Sequence, residues 1–134
     1  MRITVFGTGA VGAYFGGRLA EAGHDVAFVA RGATLDALRT RGLRVTSPEG
    51  DFTLSPVRAS DRPTELGPTD AVLVGVKAWQ VPDAARAVGP LIGLGTFVVP
   101  LQNGVEASDQ LVAALGPERV LGGLCRIIAR IVAR

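Results

Sequence analysis

Apolar residues along this chain come in short bursts separated by polar or glycine-rich joints. Residues 2–6 (RITVF) and 25–30 (DVAFVA) are brief runs rich in β-branched and aromatic side chains, the composition of buried strands. Between them, 10–22 reads as a helix closed by Gly23, and a second helical stretch follows at 34–41 (TLDALRTR). Strand, helix, strand with short joints predicts a βαβ unit with parallel strands. Segment 43–56 (LRVTSPEGDFTLSP) breaks that rhythm. Two β-rich pieces flank Pro48-Glu49-Gly50-Asp51, which predicts an antiparallel hairpin inserted after the second helix.

Residues 60–70 (SDRPTELGPTD) have the Pro, Gly and Asp content of a surface loop, with room for one helical turn. The buried-strand pattern resumes at 71–76 (AVLVGV). Val81, Ala84, Ala85 and Val88 then fall at i, i+3, i+4 and i+7, one helical face. A strand at 96–100 (TFVVP), a turn at 102–104 and a helix over 106–115 closed by Gly116-Pro117 come next. Residues 119–124 (RVLGGL) read as a further short strand. In the tail, Arg126, Arg130 and Arg134 share a helical face, but the predominance of Ile and Val favours a strand. The alternation predicts an α/β fold: a Rossmann-type, doubly wound, mainly parallel sheet with right-handed crossovers and an inserted β-hairpin.

The 134 residues suit one domain rather than two, and 48% apolar against 19% charged residues provide a core and argue against general disorder. A net charge of +2 is compatible with a small anionic ligand and too weak for a nucleic-acid surface. The single cysteine, Cys125, excludes an internal disulfide framework and fits a reducing compartment. No apolar run reaches membrane-spanning length, and no signal-type apolar stretch follows Met1-Arg2, so a soluble cytoplasmic domain is expected.

Against that background the glycines after the first strand stand out. Gly7, Gly9 and Gly12 spell G-x-G-x-x-G at a strand-to-helix joint inside a βαβ unit, the context in which the pattern marks dinucleotide binding. Gly7 would permit the tight turn, Gly9 the close approach of backbone to a pyrophosphate, and Gly12 the close packing of helix on sheet. The loop Gly7, Thr8, Gly9, Ala10, Val11, Gly12 would hold the anion through free N–H groups at the positive end of the helix dipole. Gly16 lies four residues past Gly12 and extends the same close-packing face; each helical glycine costs about 1 kcal/mol relative to alanine.

An NAD site ordinarily has Asp or Glu at the tip of the second strand, for the ribose 2′-hydroxyl. Here that strand ends FVARG, with Arg31 at the tip, and Asp25 stands at the strand's other end. A guanidinium would pair with a 2′-phosphate that a carboxylate would repel, so NADP(H) is the expected cofactor. Ligands of open parallel sheets lie beyond the carboxyl ends of the strands. Two further stretches qualify: Lys77, with Trp79 and Gln80, after the 71–76 strand, and Gln102-Asn103-Gly104 after the 96–100 strand. Lys77 could neutralise a cofactor phosphate or substrate carboxylate, and the Asn103 amide could both donate to and accept from a nicotinamide or ribose. His24 is expected to be exposed, Cys125 a buried thiol, and Glu106 a helix-start residue. No metal-ligand spacing is present.

Taken together, MRITVFGTGAVGAYFGGRLAEAGHDVAFVARG, VKAWQV, LQNGV and VLGGLCRI resemble the N-terminal domain of ketopantoate reductases (2-dehydropantoate 2-reductases) over essentially the whole chain. The resemblance implies NADPH-dependent reduction of 2-dehydropantoate, a small 2-oxo acid, to pantoate on the way to pantothenate. It puts the phosphate loop on Gly7–Gly12, the 2′-phosphate arginine on Arg31, a cofactor-site lysine on Lys77, and a cleft asparagine near nicotinamide and substrate on Asn103. The family's proton-donating lysine and its partner glutamate belong to a helical second domain that these 134 residues do not include. The expectation is therefore a cofactor-binding part with no catalytic acid and little turnover alone, free to self-associate through the surface that domain would cover. A reductase of another 2-oxo or 3-hydroxy acid, or a non-catalytic dinucleotide-sensing module, would share the same first domain.

Overall fold

The computed structural model describes residues 1–102 and 106–121. At its centre, β1 (Arg2–Phe6) pairs in parallel with β2 (Asp25–Val29) on one side and with β6 (Thr69–Val74) on the other. The outer strands β5 (Arg58–Ser60) and β7 (Ile92–Pro100) pair with β2 and β6, giving the order β5-β2-β1-β6-β7, parallel throughout. The chain thus winds outward from β1 to β5, then returns to the far side of β1 and winds outward again. The reversal leaves a crevice at the carboxyl ends of β1 and β6.

Period-two alternation divides the strand side chains between two cores. Ile3, Val5, Val26, Phe28 and Ala71 face α1 (Ala10–Glu21) and α2 (Gly32–Arg41), where Leu35 and Leu38 of α2 complete the layer. Ala27, Val29, Val72, Val74 and Val98 face the opposite layer of α4 (Val81–Ala87) and α5 (Glu106–Leu115). The predicted face of Val81, Ala84, Ala85 and Val88 is buried there beside Leu111. Each such fully buried Val or Leu contributes about 1.5–3 kcal/mol relative to exposure. The doubly wound architecture follows from this two-sided burial.

The inserted hairpin is present as β3 (Leu43–Val45) and β4 (Phe52–Leu54), an antiparallel pair forming its own small sheet. It packs on α1: a Cβ on Gly17 would come within 2.8 Å of the Phe52 ring and 3.1 Å of Leu43. Arg18 fastens the hairpin, donating to Gly50 O at 2.8 Å with its guanidinium over the rings of Phe52 and Tyr14.

Several expectations need correction. Residues 58–60 form a strand, β5, that the sequence pattern did not announce, while the 60–70 loop does hold the one helical turn it had room for, α3 (Pro63–Leu66). Strand β6 begins at Thr69 and ends at Val74, two residues earlier at each end than expected. Strand β7 begins at Ile92, four residues early, with a register irregularity opposite Thr69 and Ala71. His24 is half-buried rather than exposed. Of the expected 119–124 strand, Val120 bridges Val98 in parallel at the outer edge of β7. The rest of that strand, Cys125 and the 126–134 tail lie outside the described residues.

Candidate functional site

The crevice is built by three glycines in backbone contact. Gly7 leaves β1 at φ +100°, a conformation that L side chains rarely adopt, and its N–H donates to Val29 O at 3.2 Å. A Cβ at Gly12 would collide with the Gly7 carbonyl oxygen and reach Val5 at 3.0 Å. Gly75, just past β6, closes the third side: its Cβ would lie 2.8 Å from Gly7 O and 3.1 Å from Gly12 Cα. Gly16 continues the stripe, with its Cβ position 2.6 Å from both Val5 and Phe28. The predicted pressing of helix on sheet is therefore real, and it extends to Gly75, which the motif alone did not identify. The signal was available: a glycine inside the buried run AVLVGV marks close backbone approach.

Gly9 differs from its neighbours. It caps α1 in extended conformation (φ −83°, ψ −165°), and a Cβ there would meet nothing within 4 Å. The first turn of α1 carries no acidic residue and no side-chain cap, so its N–H groups and the dipole's positive end face open space. Ala10, Val11 and Gly12 supply that turn. Thr8 plays another part: its hydroxyl is buried and donates to Val29 O at 3.0 Å, tying the loop to the end of β2. A tight floor under an open, uncompensated helix end fits the pyrophosphate of a dinucleotide.

Arg31 caps α2 two residues beyond β2, exposed, and its guanidinium makes no ion pair among the described residues. Asp25 is held at the opposite end of the sheet, its carboxylate 3.8 Å from Arg2 Nε. It cannot serve a ligand in the crevice, as its strand position indicated. Lys77 is exposed at the start of a 3₁₀ turn, Ala78–Gln80, whose Gln80 Oε1 accepts the Lys77 N–H at 3.0 Å. Trp79 projects from that turn, 77% exposed. Glu106 is exposed at the first position of α5. Asn103 lies outside the described residues.

Its neighbour Gln102 is buried at the end of β7. The amide nitrogen donates to Val74 O at 2.9 Å and Val76 O at 2.6 Å, binding the end of β6 to β7, while Oε1 is buried without a hydrogen-bond partner. Such an atom costs about 1–3 kcal/mol. Among the described residues no group of three or more His, Cys, Asp or Glu is placed to hold a metal, and no helix is long and apolar enough to cross a membrane.

Comparison with known proteins bears on this geometry. Residues 3–133 match the family model described as ketopantoate reductase PanE/ApbA. A 2-dehydropantoate 2-reductase of Mesorhizobium japonicum is 44% identical over 92% of this chain and 44% of its own length. The crystal structure of the 2-dehydropantoate 2-reductase from Geobacter metallireducens GS-15 superposes with a TM-score of 0.86 at 39% identity, over 91% of this chain and 40% of that one. The corresponding enzyme from Methylococcus capsulatus gives a TM-score of 0.88 at 29% identity, over 99% of this chain and 43% of that one. The chain spans about two fifths of the length of the relatives it matches.

Proposed function

Because the chain belongs to the ketopantoate reductase PanE/ApbA family, we propose that it is the NADPH-binding part of a 2-dehydropantoate 2-reductase. One observation carries the reading: a floor of Gly7, Gly12 and Gly75 beneath a bare helix end that is open above Gly9. Backbone N–H groups of Thr8, Gly9, Ala10, Val11 and Gly12 line the pyrophosphate position, while Gly7, whose N–H is taken by Val29 O, makes the turn that leads to them. Arg31 meets the 2′-phosphate, Lys77 adds a second positive charge at the crevice, and Asn103 orients nicotinamide and substrate. The bound cofactor supplies a hydride to the ketone carbon of the 2-oxo acid. The proton for the nascent alkoxide comes from a group beyond these 134 residues, so the chain alone binds cofactor and turns over little or no substrate.

The test is a titration of the chain with NADPH and NADH, repeated on Arg31→Ala. Charge-assisted hydrogen bonds of about 1.5–3 kcal/mol each correspond to a preference for NADPH of roughly 10- to 100-fold that the substitution abolishes. Equal affinities for the two cofactors in the unmodified chain refute the 2′-phosphate assignment. Absence of binding by either refutes the dinucleotide site. Oxidation of NADPH by 2-dehydropantoate at rates typical of a complete enzyme would show that the chain holds its own acid.

A further inference from the structure

Gln102 presents a defined asymmetry. Both donor bonds of its amide run to carbonyl oxygens, Val74 O and Val76 O, and a carbonyl can only accept. The nitrogen end of the amide is thereby fixed, and the atom left alone in the interior is an acceptor. Gln102 is 9% exposed, and its Oε1 is the one buried side-chain polar atom among the described residues with no partner. Native folds satisfy almost all such atoms, with a protein group, a buried water or a bound ligand, so the position of this one decides which partner fits it.

Its location says which donor. The segment that Gln102 clamps is the wall of the crevice: the Val76 side chain lies 2.5 Å from where Gly7 would carry a Cβ, and Gly75 rests on Gly7 O. A dinucleotide in a fold of this kind straddles the reversal of strand order. With Arg31 beyond β2 taking the adenosine end, the other mononucleotide extends across β1 to the ends of β6 and β7, where Gln102 stands. We propose that Gln102 Oε1 accepts a hydrogen bond from the nicotinamide–ribose half of the cofactor, either a carboxamide N–H or a ribose hydroxyl. The same amide locks the wall with its nitrogen and reads the ligand with its oxygen. It is a positioning residue for the ring that carries the hydride.

This inference rests on the dinucleotide reading above, and its test separates the two. Affinities for NADP⁺ and for 2′,5′-ADP, which lacks the nicotinamide half, are measured by calorimetry on the unmodified chain and on Gln102→Met. The expected result is NADP⁺ binding weakened roughly three- to tenfold, the range of one hydrogen bond, with 2′,5′-ADP affinity unchanged. Equal weakening of both ligands makes Gln102 a structural clamp only and overturns the proposal, as does no weakening of either. Failure of both ligands to bind the unmodified chain removes the dinucleotide reading itself, and the proposal with it. Should Gln102→Met not fold, a crystal structure of the unmodified chain with NADP⁺ decides. A ligand nitrogen or oxygen within 3.2 Å of Oε1 supports the assignment and identifies the donor; a water there, or no ligand atom within hydrogen-bonding distance, overturns it.

Discussion

A methyl group added at Gly9 and one added at Gly12, three residues apart, would have opposite consequences. At Gly12 it strikes the Gly7 carbonyl, which is backbone and cannot swing aside. Overpacking of this kind costs at least about 1–3 kcal/mol, more than the roughly 1 kcal/mol that alanine gains over glycine in a helix. Gly12→Ala should therefore lower the melting temperature by several degrees. At Gly9 the methyl enters empty space on a backbone any residue can adopt, and weaker capping costs under about 1 kcal/mol. Gly9→Ala should fold almost normally yet bind NADPH at least tenfold more weakly, because the methyl enters the space proposed for the pyrophosphate. Differential scanning fluorimetry with a binding titration on both variants checks the pair; a Gly9→Ala chain with intact affinity would place the phosphates elsewhere. The G-x-G-x-x-G spacing made the close packing at Gly12 legible before any coordinates. Gly75 was marked only by being a glycine inside a buried run and Gln102 only by its place at a strand end, because what each of them touches lies across 68 and 28 residues of sequence.

Single elements were legible wherever burial imposed a period. The α4 face and both pieces of the hairpin fell where alternation or helical spacing put them. Strand β5 was missed because Arg58-Ala59-Ser60 has no apolar alternation; it is extended because the outer edge of β2 offers it a ladder, with Ala27, Phe28 and Val29 opposite. The early start of β7 was hidden by Gly93 and Gly95, residues that argue against a strand locally and are tolerated at an irregularity. The hairpin's attachment is more local. Hydrogen bonds with Tyr14, then Glu21, raise the Arg18 pKa above its usual value, so the guanidinium stays charged across the neutral range and the attachment does not titrate there. Replacing Arg18 with alanine removes the bond to Gly50 O and the cation over Phe52. Hydrogen exchange over residues 43–54 should accelerate while NADPH affinity stays unchanged, since the hairpin rests on α1 and not on the crevice. Unchanged exchange would mean that Phe52 and Leu43 packing on Gly17 holds the hairpin unaided.

At the scale of the molecule, the crevice exists only when both layers are docked on the sheet, so cofactor binding and global stability are linked. Leu111 on α5 is fully buried in the layer opposite α1. Leu111→Ala should cost about 2–5 kcal/mol, a large part of the 5–15 kcal/mol that stabilises a typical domain. In a chain of this size that lowers the melting temperature by roughly 6–20 °C. A ligand that binds only the folded state returns about 2.7 kcal/mol at a hundred times its dissociation constant. Saturating NADPH should thus raise the melting temperature of Leu111→Ala by several degrees, as it should that of the unmodified chain, because Leu111 lies in the core and not at the phosphate loop. Gly9→Ala at the same NADPH concentration should show about half that shift or less, the consequence of a tenfold or greater loss of affinity. If Leu111→Ala instead lost its response to NADPH while remaining folded, the α5 layer would be shaping the crevice directly, through the strand ends it covers, and core and site would not be separable.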